Sequence, residues 1–251
     1  MNSLALISDI HGNTPALEAV LADIASRGLG AVYCLGDLVG YGPDPNGVID
    51  LIRAQGIPSL LGNYDDGVGR ETGDCGCYYA TLEAKRIGEA SYAFTVAAVD
   101  QERKDYLRGL PQELQVRIGA TSVHLVHGSP RKINEYLMRE RDERTFVRLA
   151  KAEPDDVLAF GHTHEQWHRE FGGVLFVAVG SVGRPKDGDP RAMYTILRAF
   201  QPRGETADAE AGTPAVAVEA IRVAYDVEAT ARAIVAAGLP GELADDIRRG
   251  R

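Results

Sequence analysis

Polar clusters that recur directly after apolar, strand-like runs constrain this chain more than any other feature. Five such runs end at residues 7, 35, 61, 126 and 160, and each is followed by a side chain able to bind a metal ion. In an open α/β sheet, ligand sites form beyond the carboxyl ends of the strands, so distant segments meet at one edge. The clusters supply seven candidate ligands: Asp9, His11, Asp37, Asn63, His127, His162 and His164.

The order of the hydrophobic patterns predicts an α/β fold. Strand-like runs alternate with segments of helical periodicity, at 4–7, 15–27, 31–35, 46–55 and 57–61 in turn. This alternation is typical of parallel βαβ units with right-handed crossovers.

The rest of the chain predicts a helical insertion and further strands. The insertion covers about 66–110, with helices at 79–90 and 95–108 lying over the end of the sheet. The elements predicted after it are a hairpin at 113–118 and 122–126, a helix at 142–151, strands at 157–160 and 174–179, a closing antiparallel pair at 192–200 and 216–224, and terminal helices at 226–237 and 242–249 on one face of the sheet. A polar loop is expected at 201–213, and the whole of 1–251 is predicted to be a single domain.

Length, charge and cysteine content limit the functions open to this chain. The 251 residues are 45% hydrophobic, which is enough for one substantial core. The net charge of −9 disfavours non-specific binding to nucleic acid or to an anionic membrane, because both require a cationic surface. Three cysteines, together with no recognisable signal peptide or transmembrane-length window, predict a cytoplasmic protein.

Each polar cluster taken alone has an ordinary explanation. A strand-end Asp is often a helix cap, and a His-x-His pair often lies at the surface. Five clusters in the same strand-end register favour a metal site instead. Seven ligands are too many for one tetrahedral zinc ion and too rich in histidine for calcium. They suit two divalent transition-metal ions (Mn, Fe, Ni, Co or Zn) that share a bridging carboxylate, an arrangement suited to displacement at phosphorus.

The order of these motifs resembles the calcineurin-like metallophosphoesterases over residues 4 to about 200. The matching blocks are Asp9-Ile10-His11, Gly36-Asp37, Gly62-Asn63-Tyr64-Asp65, His127-Gly128 and Gly161-His162-Thr163-His164. The resemblance implies a four-layer α/β/β/α sandwich. It implies one metal ion held by Asp9, His11, Asp37 and His164, and a second held by Asp37, Asn63, His127 and His162, with Asp37 bridging.

The third block departs from the family at Tyr64. The usual motif is Gly-Asn-His-Asp, whose histidine donates a proton to the leaving group or contacts phosphate. A phenol has a reference pKa near 10 and is a weaker acid than imidazolium, which favours phosphodiesters over unactivated monoesters as substrates. The predicted catalytic residues are Asp37, Asn63, Tyr64 and Asp65.

Two further residues are candidates for substrate binding. Arg184 lies in a Gly-Ser-Val-Gly-Arg-Pro stretch similar to small bacterial and archaeal members of the family. It is expected to bind the phosphoryl group of the substrate and not a carboxylate of the protein. Asn13 either contacts phosphate or caps the following helix. Cys75 and Cys77 are expected to be plain thiols, because no matched second pair accompanies them.

The predicted function is a dinuclear metal-dependent phosphoesterase that acts on a small phosphodiester. A nucleoside polyphosphate hydrolase or a protein phosphatase of the same fold is the alternative. A non-catalytic interaction module is disfavoured, because all seven candidate ligands are present. The sequence predicts no particular oligomeric state.

Overall fold

The computed structural model describes residues 1–200 and 216–251, so the predicted loop at 201–213 lies outside the described residues. Two sheets are flanked by helices. The strands are β1 (Ser3–Ile7), β2 (Val32–Cys34), β3 (Glu113–Ile118), β4 (Thr121–Val126), β5 (Val157–Phe160), β6 (Gln166–Phe171), β7 (Val174–Val179), β8 (Ala192–Ala199) and β9 (Val216–Val223). The helices are α1 (Thr14–Ser26), α2 (Pro45–Ala54), α3 (Asn63–Arg70), α4 (Leu82–Ala98), α5 (Gln101–Arg108), α6 (Glu143–Ala152), α7 (Val227–Ala236) and α8 (Gly241–Arg249).

The two sheets are both mixed, with different strand orders. The first sheet has the order β2-β1-β8-β9, in which β1 is parallel to β2 and antiparallel to β8. The second has the order β3-β4-β5-β7-β6, in which parallel β4, β5 and β7 lie between antiparallel edge strands. The β3–β4 hairpin and the antiparallel β8–β9 pair confirm the two predicted antiparallel pairings.

Alternate residues of β1 show how the layers are built. Leu4 and Leu6 belong to a core shared with strands of the second sheet, whereas Ala5 and Ile7 pack with α1 and α2 on the opposite face. Phe146 of α6 packs on the outer face of the second sheet. Helix, sheet, sheet and helix therefore form the four predicted layers. None of the helices within the described ranges is long and apolar enough to cross a membrane.

The predicted third strand at 57–61 is reduced to a single parallel bridge between Cys34 and Ser59. Pro58 has no N–H to donate to a ladder, although its carbonyl accepts from the Cys34 amide at 2.9 Å. The Leu61 amide leaves the sheet and donates to the carbonyl of Pro111 at 2.7 Å. The segment still delivers Asn63 to the edge of the sheet, as the first residue of α3.

The helical insertion is present, but its helix boundaries differ from those predicted. The predicted break at 91–94 lies inside α4, and the real break is at Val99 and Asp100. Capping explains the difference, because the side chain of Thr81 accepts from the Ala84 amide and that of Asp100 accepts from the Arg103 amide.

The terminal helices pack differently from the prediction. Their apolar residues, including Ile234 and Ile247, cluster with Tyr41 and with Ile87 and Phe94 of α4. The outer face of the first sheet is already covered by α1 and α2. Helices α7 and α8 therefore lie against the insertion and the loop after β2, and the prediction that they cover a sheet face is wrong.

Candidate metal centre

All seven candidate ligands lie at one edge of the two sheets. Six of them are in the loops that follow β1, β2, β4 and β5, and Asn63, the first residue of α3, completes the set. Each of the seven side chains is nearly inaccessible to solvent, with at most 4% of any residue exposed. The structure thus brings together residues that are separated by up to 155 positions in the sequence, from Asp9 to His164.

The first group consists of Asp9, His11 and His164. The Nε2 atoms of the two histidines are 3.1 Å apart. Asp9 Oδ1 lies 3.3 Å from His164 Nε2 and 3.8 Å from His11 Nε2. Three potential ligand atoms therefore converge on one point.

The second group consists of Asp37, His127 and His162, with Asn63 beside them. His127 Nε2 lies 3.5 Å from Asp37 Oδ2 and 3.0 Å from Asn63 Oδ1. Asp37 Oδ2 also lies 3.7 Å from His11 Nε2, which belongs to the first group. One carboxylate oxygen therefore lies between the two groups.

Three ring orientations are fixed by the backbone. The Nδ1 atom of His11 donates to the Val39 carbonyl at 2.9 Å, and that of His127 donates to the Leu35 carbonyl at 2.7 Å. His164 Nδ1 donates in the same way to the Arg184 carbonyl at 2.6 Å. Because a carbonyl can only accept, each Nδ1 carries the hydrogen, and a neutral ring presents Nε2 as a lone pair.

The donor set fits bound cations. Burial lowers the pKa of His11 to about 4 and holds that of His164 well below 6.5, so both rings are neutral near pH 7. Their Nε2 lone pairs then face each other at 3.1 Å with no hydrogen between them. Asp9 Oδ1 and His162 Nε2 are also buried without a hydrogen-bond partner. Buried acceptors in this arrangement are costly alone and are satisfied by divalent cations.

The backbone of the loops is strained at the same residues. Five of these residues have φ angles between 50° and 63°, in the left-handed region that residues other than glycine rarely adopt. They are Asp9, His11, Asp37, His162 and His164. Such conformations cost of order 1–3 kcal/mol each and concentrate at functional sites. The loops thus hold their ligands in positions that an unconstrained chain would avoid.

The carboxylate of Asp65, which the sequence predicts to be catalytic, accepts hydrogen bonds from three backbone amides. Its Oδ1 accepts from the amides of Leu38 and Val39 at 2.9 and 3.3 Å, and its Oδ2 accepts from the Gly62 amide at 3.0 Å. Both oxygens are therefore used to fix the loops that carry Asp37 and Asn63. These contacts indicate a positioning role for Asp65, and its predicted catalytic role stays a prediction.

Tyr64 is also placed differently from a residue that protonates a leaving group. Its side chain is fully buried, and its ring packs edge-on against His11 with centroids 5.6 Å apart. Its hydroxyl lies 3.5 Å from Ser91 Oγ, at the outer limit of a hydrogen bond. Burial raises the pKa of Tyr64 well above 10. The phenol is therefore a weaker acid than the sequence alone implies.

Arg184 lies at the cluster but is paired with the protein. Its Nη2 donates to Asp246 Oδ2 of α8 at 2.7 Å, and its guanidinium carbon lies 4.3 Å from the centroid of the Tyr41 ring. The expectation that it avoids a carboxylate of the protein is wrong, because α8 packs over this edge of the sheet and brings Asp246 within reach.

Asn13 is the N-cap of α1. Its Oδ1 accepts from the Ala16 amide at 3.3 Å and from Thr230 Oγ1 at 3.2 Å. Its Nδ2 donates to the Gly183 carbonyl and to the Tyr225 hydroxyl at 3.0 and 3.2 Å. All hydrogen-bonding positions of this amide are thereby engaged, so Asn13 caps the helix and joins its loop to α7, and the phosphate contact offered as the alternative has no free atom to make it.

Two aromatic residues at the centre were not identified from the sequence. The ring of Tyr136 lies over His162 with centroids 4.0 Å apart, and that of Tyr41 lies 5.0 Å from His11. Tyr41 follows the Asp37 block, and its neighbouring glycines were the one available signal. Tyr136 lies in an irregular loop, where no periodic pattern marks its contact with His162.

A separate group, His124, Glu153 and Asp155, also brings ligand-type atoms within 4.8 Å of one another. Both ring nitrogens of His124 already contact carboxylates, Nδ1 at 3.0 Å from Glu153 and Nε2 at 3.1 Å from Glu113. Burial opposes protonation, but the hydrogen bonds and charges of these carboxylates outweigh it and raise the pKa of His124 above 6.5. This group is accordingly an ion-pair network.

His124→Gln should remove a pH-dependent part of the stability. A raised folded-state pKa stabilises the protein fully below the unfolded-state pKa, and this contribution is lost as the pH rises through the folded-state value. Urea unfolding should therefore show the largest deficit of the variant, on the order of 1–3 kcal/mol, on the acidic side of pH 6.5. A deficit that grows with rising pH would contradict this assignment.

Known proteins resemble this chain in sequence and in fold. A model of the calcineurin-like phosphoesterase superfamily domain matches residues 2–199. An uncharacterised protein of Methanocaldococcus jannaschii is 32% identical over 99% of this chain and 98% of its own length. The phosphodiesterase YfcE of Escherichia coli is 27% identical over 78% of this chain and 88% of its own.

A solved structure of a metallophosphoesterase also resembles this chain. The metallophosphoesterase from Sphaerobacter thermophilus is 30% identical, covers 100% of this chain and 99% of its own, and superposes with a TM-score of 0.73. The fold, the ordered motifs and the cluster of buried ligand-type residues agree with these likenesses. The chain belongs to the calcineurin-like phosphoesterase superfamily and is a hydrolytic phosphoesterase.

Proposed function

We propose that this protein hydrolyses small phosphodiesters with two divalent transition-metal ions. The observation that carries the proposal is the position of Asp37 Oδ2, 3.7 Å from His11 Nε2 and 3.5 Å from His127 Nε2, between the two ligand groups. Asp9, His11 and His164 would hold one ion, Asn63, His127 and His162 the other, and Asp37 both. Ions bound there supply a nucleophile at neutral pH and neutralise charge on the phosphoryl oxygens.

Cationic side chains beside the cluster would bind the substrate phosphate. Arg184 is held against Tyr41 and Asp246, so its guanidinium is oriented before substrate arrives. Lys186 forms no ion pair within the described ranges, and its charge lowers the pKa values of His162 and His164 in addition to the larger effect of burial. Lys186 is exposed and lies two residues after Arg184, so its ammonium would also attract a phosphate anion.

The preference for diesters is supported at position 64. The buried phenol of Tyr64 is a poor acid, so a leaving group receives little help from this residue. A diester with a good leaving group needs less help than an alkyl monoester does. The similar Escherichia coli protein bears the name phosphodiesterase, which agrees with this proposal.

The low cysteine content supports a cytoplasmic setting.

An activity panel tests this function directly. Full-length protein loaded with Mn²⁺ is assayed with bis-p-nitrophenyl phosphate, p-nitrophenyl phosphate and serine phosphate at equal concentrations. We expect the diester to be hydrolysed faster than serine phosphate. Faster hydrolysis of serine phosphate would contradict the diesterase assignment, and no hydrolysis of any ester at full metal occupancy would contradict the metal-dependent mechanism.

Metal binding should also stabilise the fold. A ligand at about 1,000 times its Kd stabilises a native site by about 4 kcal/mol, which corresponds to a rise in Tm of roughly 8–16 °C for a domain of this size. Thermal unfolding is measured after chelation and again with added Mn²⁺ or Mg²⁺. Mn²⁺ should give the larger shift, because imidazole ligands prefer first-row transition ions. His124→Gln, outside the cluster, should show the same shift, whereas an unchanged Tm in the wild type would contradict the proposed site.

A further inference from the structure

Two cysteines contact a proposed metal ligand. Cys75 and Cys77 lie in the loop between α3 and α4, directly beside Asn63. The Nδ2 atom of Asn63 donates to the Cys75 carbonyl at 2.9 Å and to Cys77 Sγ at 3.2 Å. Its Oδ1 therefore points the other way, toward His127 Nε2 at 3.0 Å.

These two contacts decide which atom of the Asn63 amide faces the ligand cluster. An amide that turned over would direct its NH₂ group at the cluster, and an NH₂ group cannot bind a cation. Partners that fix a ligand in this way typically change metal affinity or activity 10- to 100-fold when they are removed. Cys77 Sγ and the carbonyl of Cys75 are thus positioning groups for Asn63.

The two sulfur atoms are already close to bonding distance. Cys75 Sγ lies 2.6 Å from Cys77 Sγ, compared with about 2.05 Å in a disulfide. Gly76 between them has a φ of +65°, a left-handed conformation that glycine adopts without strain and that folds the loop back on itself. Both cysteines line a surface cavity of about 410 Å³, so small reagents can reach them.

We propose that Cys75 and Cys77 form a reversible dithiol–disulfide pair, and that only the reduced pair holds Asn63 in its ligand orientation. The effect on metal binding rests on the proposed function, whereas formation of the disulfide does not. In the disulfide each sulfur is bonded to the other and is a weaker acceptor for Asn63 Nδ2. The carbonyl of Cys75 also shifts as the loop closes. The oxidised protein accordingly binds metal more weakly at the group of Asp37, Asn63, His127 and His162.

The oxidant that balances this step is a low-molecular-weight disulfide. A thiolate of the pair attacks one sulfur of the reagent, releases one equivalent of reagent thiol and forms a mixed disulfide. The second cysteine thiolate then attacks the protein sulfur of the mixed disulfide and releases a second equivalent. Two protein thiols are oxidised, one reagent disulfide is reduced to two thiols, and excess thiol reverses both steps.

Thiol counting tests formation of the disulfide. Full-length protein is equilibrated with mixtures of oxidised and reduced glutathione, denatured, alkylated and analysed by mass spectrometry. We expect the three alkylatable thiols to fall to one, with a Cys75–Cys77 crosslink in the digest. Cys34 is fully buried in β2, so glutathione cannot reach it in the folded protein and it should remain the alkylated thiol. Persistent mixed disulfides or three remaining thiols would overturn the proposal.

Metal titration tests the positioning role with a readout other than activity. Mn²⁺ affinity is measured by calorimetry for reduced and oxidised wild type, Cys77→Ser, Cys77→Ala and the matched control Cys34→Ala. Oxidation should weaken one of the Mn²⁺ sites 10- to 100-fold in wild type and Cys34→Ala. Cys77→Ser keeps an acceptor for Asn63, so reduced Cys77→Ser should bind Mn²⁺ more tightly than reduced Cys77→Ala, and neither variant can form the Cys75–Cys77 crosslink.

The outcomes separate this inference from the proposed function. Equal Mn²⁺ affinity in the reduced and crosslinked wild type, or equal affinity in the Ser and Ala variants, would overturn the positioning role. If reduced wild type binds no metal ion, the proposed function fails, and a crosslink that nevertheless forms has no metal site to control. A crosslink that lowers affinity in the wild type and is reversed by excess thiol supports the proposal.

Discussion

Asp37→Asn is expected to abolish phosphodiesterase activity while leaving the fold intact. Asp37 Oδ2 is the atom shared between the two ligand groups, and replacing it with an NH₂ group removes both the charge and the lone pair. The variant should lose at least about 1,000-fold in kcat/KM, equivalent to roughly 4 kcal/mol of transition-state stabilisation. Its metal content should fall below that of the wild type at equal free Mn²⁺.

In the absence of metal, Asp37→Asn should not lower the stability of the fold. Asp37 Oδ1 accepts from the Tyr64 amide at 2.8 Å, and the oxygen of an asparagine can keep that bond. The new NH₂ group would face the Nε2 lone pair of His11 and can donate to it. This offsets the weaker attraction to His127, whose pKa Asp37 raises to about 9 against the opposing effect of burial. We therefore expect metal-free Asp37→Asn to be as stable as metal-free wild type, or more stable.

A control substitution at a second carboxylate distinguishes a specific role of Asp37 from the general effect of losing one negative charge. Asp66 is on α3, close to the site in sequence, and pairs with Arg70 at the surface. Asp66→Asn should keep wild-type activity and metal content. Near-normal turnover in Asp37→Asn, measured with the same assay and with metal content determined by mass spectrometry, would show that Asp37 is only a strand-end cap.

The superfamily and the layered fold could be predicted because they depend on local patterns. Parallel strands end at a common edge, so Asp9, Asp37 and His162 could be assigned to one place before their distances were known. The prediction of a full strand at 57–61 is wrong for an equally local reason, because Pro58 has no amide hydrogen to donate to a neighbouring strand.

Other features depend on contacts that no local pattern encodes. Arg184 donates to Asp246, which is 62 positions away in the sequence, and Thr230 donates to Asn13, which is 217 positions away. Both contacts form because α7 and α8 fold back over the edge of the sheet. The carboxylate of Asp65 was available for catalysis on sequence grounds. It is used by backbone amides only because the loops after β2 and before α3 lie side by side.

Tyr64 should prove to be more important for stability than for proton transfer. It is among the largest fully buried side chains and packs with Tyr41, whose ring centroid is 4.8 Å away. Tyr64→Ala should lower the free energy of unfolding by about 3–5 kcal/mol, as other aromatic truncations in cores do. Tyr64→Phe keeps the ring and loses only the long contact to Ser91, so it should cost no more than about 1 kcal/mol. Urea unfolding of the metal-free proteins measures both values.

We expect the same position to influence which phosphoesters are hydrolysed well. Because the hydroxyl of Tyr64 is buried and its pKa is raised well above 10 by burial, Tyr64→Phe should keep diesterase activity within about twofold and leave the ratio of monoesterase to diesterase activity unchanged. Tyr64→His restores the residue usual in the family and places an imidazole, whose protonated form is a stronger acid than a phenol, beside the ligand cluster, so that ratio should rise. Rates on serine phosphate and bis-p-nitrophenyl phosphate are compared for folded, metal-loaded protein. A tenfold loss of diesterase activity in Tyr64→Phe would show that the phenol itself assists the leaving group, and an unmoved ratio in Tyr64→His would show that position 64 does not select between substrates.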